Sequence, residues 1–212
     1  MSVPGIAPSE LILGGQKSGK SRRAEMLAQS WLALSPDHEA VLIATAQPCD
    51  DEMRERIARH QRDRAKRVPQ LQTVEEPLAL AHEISRHSDA RTMVLVDCLT
   101  LWLTNQLMPL ALALAEADGP TRNPENIPKC EEKEALAQYP RASIAMLLEA
   151  IGDVAGPIVL VGNEIGLGVI PLGRQTRVFV DALGQLNQNA AGACERVTLM
   201  VAGLPLTLKG QA

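Results

Sequence analysis

The run Gly14-Gly15-Gln16-Lys17-Ser18-Gly19-Lys20-Ser21 constrains this chain more than any other stretch. It satisfies the pattern GxxxxGK[ST] at every fixed position. It also stands where the pattern has a mechanism, after the apolar run Leu11–Leu13 and before the helical stretch Ser21–Leu34. Glycines let the backbone curl so that successive N–H groups point into one concave anion site, and the following helix adds its N-terminal dipole. Lys20 is then expected to reach the β- and γ-phosphates of a nucleotide, and the Ser21 hydroxyl to ligate Mg²⁺. Lys17 and Ser18 supply further donors, and the motif is silent about the acceptor.

The rest of the chain fits the fold that such a loop needs. Val41–Thr45, Met93–Val96 and Ile158–Val161 read as strands, with Arg196–Val201 a late strand and Leu204–Leu208 an extended tail. Asp50–Arg64 and Pro77–His87 read as helices between them. Continuous apolar strands suit a sheet covered on both faces. Strand–helix alternation predicts an α/β fold with a mostly parallel sheet and helices on both sides. The pattern breaks between Glu116 and Pro140, where Gly, Pro, Asn and mixed charges dominate, and that stretch is expected to be a surface insertion. With 212 residues, a single P-loop nucleotide-binding domain over 1–212 is expected.

Composition excludes several classes. Net charge is −4, so no global basic field draws the chain to nucleic acid or an anionic membrane. Only Trp31, Trp102, Tyr139 and Phe179 are aromatic, too few for a base-stacking platform. Cys49, Cys98, Cys130 and Cys194 form no CxxC pair, which fits a reducing compartment. No apolar stretch is long enough to span a bilayer, and no secretory signal is visible at the N-terminus. A cytoplasmic protein without membrane insertion or nucleic-acid binding is expected.

Two further groups carry chemistry. Asp97 ends the run Met93-Val94-Leu95-Val96, the position from which a P-loop enzyme holds Mg²⁺. It equally fits the N-cap of the stretch starting near Cys98, and the two roles are compatible. On the helix from Asp50, Met53, Ile57, His60 and Arg64 recur at helical spacing and share one face, placing His60 just beyond an expected buried stripe. Arg54, Arg56, Arg59, Arg62, Arg64, Lys66 and Arg67 surround it. An imidazole among guanidinium groups able to hold a triphosphate has the setting of a nucleophile towards phosphorus. By spacing alone, His60 also fits a packing histidine at a core margin.

The blocks LILGGQKSGKSRRAE, LIATAQPCDDEMRERIARHQRDR, TVEEP, VLVDCLTLWLTN, VGNEIGLGVIP, LGQLNQ and VAGLPLTLK run in order from Leu11 to Lys209. In them the chain resembles the bifunctional adenosylcobinamide kinase/adenosylcobinamide-phosphate guanylyltransferases of cobalamin biosynthesis. The resemblance implies a RecA-type P-loop NTPase sheet. It implies ATP or GTP as phosphate donor to the aminopropanol hydroxyl of a corrinoid. A second step uses GTP, with GMP carried on a histidine that maps to His60. It also implies guanine-nucleotide contacts at Gly14, Gly15, Gln16, Lys17, Ser18, Gly19, Lys20 and Ser21, at Ala44, Thr45 and Ala46, and at Gln61, Arg62, Asp63 and Arg64. The acid of TVEEP is Glu75 or Glu76, with Glu75 favoured; Asp97 takes the metal-side position together with Ser21. A homotrimer or other homo-oligomer is implied as well.

Lys17 stands where the family usually has Arg, and Val180 where it has a second Arg beside Arg177, Phe179 and Asp181. Asn163-Glu164, followed by the Gly-rich turn Gly166-Leu167-Gly168, is a substrate-side candidate at a strand end. The competing expectation is another P-loop kinase of a small alcohol or nucleotide, with His60 structural and no guanylyl transfer.

Overall fold

A computed structural model describes the backbone of residues 5–107 and 130–211, with side chains except at 130–140 and 174–175. Seven strands form one sheet: β1 Ser9–Gly14, β2 Glu39–Ala44, β3 Gln72–Glu75, β4 Thr92–Asp97, β5 Ile158–Val161, β6 Arg196–Val201 and β7 Leu204–Lys209. Their order is β3-β2-β4-β5-β1-β6-β7, parallel throughout except for the β6–β7 hairpin. The helices are α1 Lys20–Leu32, α2 Asp51–Arg67, α3 Leu80–Arg86, α4 over residues 99–107, α5 Cys130–Asp153 and α6 Arg174–Ala193. This is the expected α/β, RecA-type arrangement. Among the described residues no helix is long and apolar enough to cross a membrane.

The apolar runs are buried on both faces because successive side chains alternate sides. Leu11, Leu13, Val94, Val96, Ile158 and Leu160 face the core under α3, α4, α5 and α6, together with Trp102, Leu147, Leu183 and Leu186. Ile12, Met93, Leu95, Val159 and Val161 face the other way, onto Ala24, Leu27 and Ala28 of α1. Those three recur at helical spacing, so α1 lays one apolar stripe on the sheet.

A buried charged cluster sits at the start of β1. Glu10, 1% exposed, accepts from Arg23 at 2.9 Å, from Arg196 at 3.4 Å and from the Thr198 hydroxyl at 2.8 Å. Each charge there is paired, as burial demands.

Several expectations need correction. Strand β3 has no counterpart among the expected elements, and the helix expected over Pro77–His87 starts only at Leu80. The Glu76 carboxylate accepts the N–H groups of Leu78 and Ala79 at 2.8 and 2.7 Å, forming a turn where the helix was expected to begin. Of the stretch Glu116–Pro140, residues 116–129 lie outside the described residues. Residues 130–140 are helical and continue to Asp153 as α5, in line with the strong helix formers in EEKEALAQ. The face of α2 is the most instructive difference. Among the described residues of α2 only Arg64 is buried, and Met53 and Ile57 are half-buried. The stripe lines a cleft rather than a core, because a helix this rich in charge has too little apolar surface to bury.

Candidate active site

The phosphate loop leaves the C-terminal end of β1 in the middle of the sheet. Gly14 has φ +148, and a Cβ there would meet the Met200 carbonyl at 2.5 Å and Ser18 Oγ at 2.7 Å, so only glycine fits. Gly19, at φ +100, turns the chain into α1. The β6–β7 turn supports the loop from one side. Ala202 and Gly203 both have positive φ, as a two-residue hairpin turn requires, and the Gly203 N–H donates to Ser18 O at 3.1 Å.

Lys20 is 8% exposed, and its ammonium donates to Gly14 O at 2.9 Å and Gly15 O at 2.6 Å. Burial pulls its pKa below the ordinary lysine value, and the charge of Arg56 adds to that while Cys98 and Asp97 oppose it. An entering phosphate would therefore meet a desolvated cation, where attraction is strongest. Ser18 Oγ is buried with no hydrogen-bond partner among the described residues. An orphaned hydroxyl inside a loop of converging donors fits a phosphate-binding role.

Across from the loop lies α2. Its start is specified locally: Asp50 caps it by accepting the Met53 N–H at 2.7 Å, and Asp51 and Glu52 occupy the first turn. Its end is tied down by Arg67, which pairs with Glu25 of α1 at 2.5 Å, and by Val68 and Leu71 in the α1-side core. Between these ends α2 forms the roof of a cleft of about 740 Å³. The P-loop from Gln16 to Ser21, Ala44, Ala46, Asp97 and Asn163 line its floor, and Arg56, His60, Asp63 and Arg64 its roof. His60 is half-buried, and among the described residues no hydrogen bond engages its ring. Burial lowers the pKa of Arg64, while Glu25, Asp97 and Glu75 favour its charge.

Among the residues expected at the nucleotide, Glu75 lines the cleft and Thr45 does not. Gln61 donates to Glu75 at 3.1 Å, and both line the cleft, whereas Glu76 is spent on its turn. Thr45 is fully buried. Its hydroxyl donates to Cys98 O at 2.7 Å and accepts the Cys98 N–H at 2.9 Å, and its own N–H donates to Asp97 O at 3.1 Å. Thr45 thus fixes the end of β4, and Asp97 with it, rather than offering its hydroxyl to the cleft. Gly14, Gly15 and Arg62 are not part of the cleft lining, Arg62 being exposed.

Sequence reasoning missed the side chains that hold these strand ends. Asn105 donates to Thr45 O at 2.9 Å and Pro77 O at 3.1 Å, and the Thr100 hydroxyl accepts the Asn163 N–H at 2.8 Å. Neither carries a local signal, since each acts across more than twenty residues of chain.

Among the described residues no group of three or more His, Cys, Asp or Glu side chains is arranged to hold a metal. At the P-loop side of the cleft, Ser21 and Asp97 offer hard oxygen donors. That set suits Mg²⁺, which takes one or two protein oxygens together with substrate phosphates and water.

The thiols are a test of the described burial. Burial, with Asp97 close by, pushes Cys98 up to about 11, and burial pushes Cys194 up to about 12. At pH 8 a thiol with a pKa near 11 is thiolate roughly one time in a thousand, so it reacts slowly. Brief alkylation of the native protein followed by peptide mapping is expected to modify exposed Cys49 and leave Cys98 and Cys194 untouched. Modification of Cys98 as fast as Cys49 would contradict the packing at the end of β4.

A loop with a buried lysine after a central strand, and an acid ending another strand of the same parallel sheet, define a P-loop nucleotide-binding enzyme. Residues 10–208 match the family model described as cobinamide kinase / cobinamide phosphate guanyltransferase, and the chain belongs to that family of bifunctional enzymes. It is 48% identical over 203 residues to the bifunctional adenosylcobalamin biosynthesis protein CobP of Pseudomonas aeruginosa, covering 95% of this chain and 98% of that one. It is 33% identical over 199 residues to the bifunctional adenosylcobalamin biosynthesis protein CobU of Escherichia coli, covering 94% of this chain and 98% of that one.

Proposed function

We propose that this chain phosphorylates the aminopropanol hydroxyl of adenosylcobinamide with ATP or GTP and then transfers GMP from GTP to the new phosphate. The product is adenosylcobinamide-GDP. The observation that carries this reading is the shared cleft: His60 on α2 and Lys20 in the P-loop line the same space.

In the first step the P-loop N–H groups and Lys20 hold the β- and γ-phosphates and balance charge developing on the transferred phosphoryl group. Mg²⁺, held through Ser21 and Asp97, supplies further charge neutralisation when bound. In the second step an unprotonated nitrogen of His60 attacks the α-phosphorus of GTP, and the bond to the pyrophosphate oxygen breaks. A phosphate oxygen of the substrate then displaces His60, carrying GMP away. Arg56 and Arg64, on the same roof, are suited to the leaving pyrophosphate. Ala44, Ala46, Gln61, Asp63 and Glu75 are assigned to the nucleotide by family resemblance, and their presence around this cleft supports that assignment. The domain acts as one unit in the cytoplasm and assembles as a homotrimer or other homo-oligomer. The exposed Leu204, Leu206 and Leu208 on edge strand β7 suit such assembly.

The test follows both phosphates. Cobinamide incubated with enzyme, Mg²⁺ and GTP is expected to incorporate γ-label first as cobinamide phosphate. It then incorporates α-label with stoichiometric pyrophosphate release. Incorporation of γ-label alone would reduce the chain to a kinase.

A further inference from the structure

We propose that Glu164 accepts the proton of the acceptor hydroxyl in the phosphoryl-transfer step, an inference that rests on the functional reading above. Strand β5 lies between β1, which leads into the P-loop, and β4, which ends in Asp97. Val161 is in register with both Ile12 and Asp97. Beyond it the chain keeps pace with β1: the Gly162 N–H donates to Ile12 O at 2.9 Å and the Glu164 N–H to Gly14 O at 3.2 Å. Gly14 O also accepts from the Lys20 ammonium at 2.9 Å. Glu164 and the phosphate-binding lysine are therefore anchored on one carbonyl, and Glu164 stands just outside the cleft lining, next to Asn163, which is part of it.

The carboxylate is aimed rather than free. Its Oε1 accepts the Gly166 N–H at 3.0 Å and its Oε2 accepts from Asn187 Nδ2 at 3.3 Å. Asn187 is 4% exposed and also donates to Asn163 O at 3.0 Å, so a buried side chain of α6 acts as the positioning residue for this strand end. Each carboxylate oxygen keeps a lone pair for a substrate hydroxyl. Glu164 is half-buried, accessible to an acceptor yet fixed. The cleft acids compare poorly: Glu52, Glu55 and Asp63 belong to the roof, Glu75 is bonded to Gln61, and Asp97 is the metal-side acid.

The acceptor side is also marked. The chain after Glu164 presents Leu167, Val169 and Ile170 at 82%, 94% and 78% exposure. Arg177 holds the far end of that segment by donating to Pro171 O and Leu172 O. Exposed apolar side chains in the segment that follows Glu164 suit a bulky acceptor with an apolar face and a single reacting hydroxyl.

The step balances simply. The hydroxyl proton passes to a Glu164 oxygen while the hydroxyl oxygen forms a bond to the γ-phosphorus. The bond from that phosphorus to the bridging oxygen breaks, and the electron pair leaves with the nucleoside diphosphate. Glu164 then releases its proton to solvent.

The test uses Glu164→Gln, which keeps the shape and an oxygen for the Gly166 N–H but cannot take the proton. Two reactions are measured on the purified full chain: phosphorylation of cobinamide, and guanylylation of preformed cobinamide phosphate. The variant is expected to lose roughly 10²- to 10⁴-fold in kcat for the first, with nucleotide KM within ~3-fold, and to run the second at the wild-type rate. Phosphorylation within ~10-fold of wild type would overturn the proposal, as would equal loss of both reactions, which marks a structural role. A wild type that never phosphorylates cobinamide would overturn the functional reading and this inference together.

Discussion

Lys20→Ala is expected to lower both phosphoryl and guanylyl transfer by at least ~10²-fold in kcat/KM while leaving the protein folded. On the proposed function both steps place a triphosphate in one loop, so removing its buried cation is expected to spare neither. The fold is expected to tolerate the change because burial already disfavours the charged amine, and Gly14 O keeps its bond from the Glu164 N–H. The check is a pair of steady-state assays beside a melting curve. Loss of one activity alone would mean that the two reactions use separate nucleotide sites.

Trp102→Ala is expected to have the largest effect on stability. Trp102 is 1% exposed at the heart of the α3–α6 core, and its indole N–H donates to Leu78 O at 3.0 Å. Truncating a buried aromatic side chain costs ~3–5 kcal/mol, while Leu78 O loses one donor and keeps the other, Gln106 Nε2 at 2.9 Å. For a chain of this size the melting temperature should fall by roughly 6–20 °C. Calorimetry showing a change under ~1 kcal/mol would contradict the packing of α4 on the sheet. Residual activity measured well below the transition should survive better than in Lys20→Ala, since Trp102 does not line the cleft.

What could be read in advance follows from whether a signal is local. The P-loop is legible because its fixed residues fall within eight consecutive positions, where Gly14 and Gly19 hold positive φ and Lys20 bonds the Gly14 and Gly15 carbonyls. The central runs of β1, β4 and β5 (Leu11–Leu13, Met93–Val96 and Ile158–Val161) are local too, since a stretch buried on both faces is apolar residue after residue. Edge strand β3 has no such run: Gln72, Thr73 and Glu75 are exposed, and the strand exists only because β2 offers a free edge. The face of α2 was visible as a helical period, but period alone does not say whether a stripe meets a core or a cleft. Arg64 decides it here, being buried on the cleft side with Asp97 and Glu75 close enough to favour its charge. Thr45 shows the opposite lesson. The family resemblance assigns it to the nucleotide together with Ala44 and Ala46, and in the structure its hydroxyl is engaged with the Cys98 backbone at the end of β4. Asn105, Thr100 and Asn187 act between distant segments and leave no trace in a single sequence.

The most direct measurement of the central claim is covalent. The protein is incubated with Mg²⁺ and GTP labelled at the α-phosphate, then denatured, digested and mapped. Label is expected on the peptide carrying His60, lost in acid, stable in alkali, and absent from His60→Ala. Wild-type protein that phosphorylates cobinamide but carries no label would contradict the account, leaving a P-loop kinase in which His60 only packs.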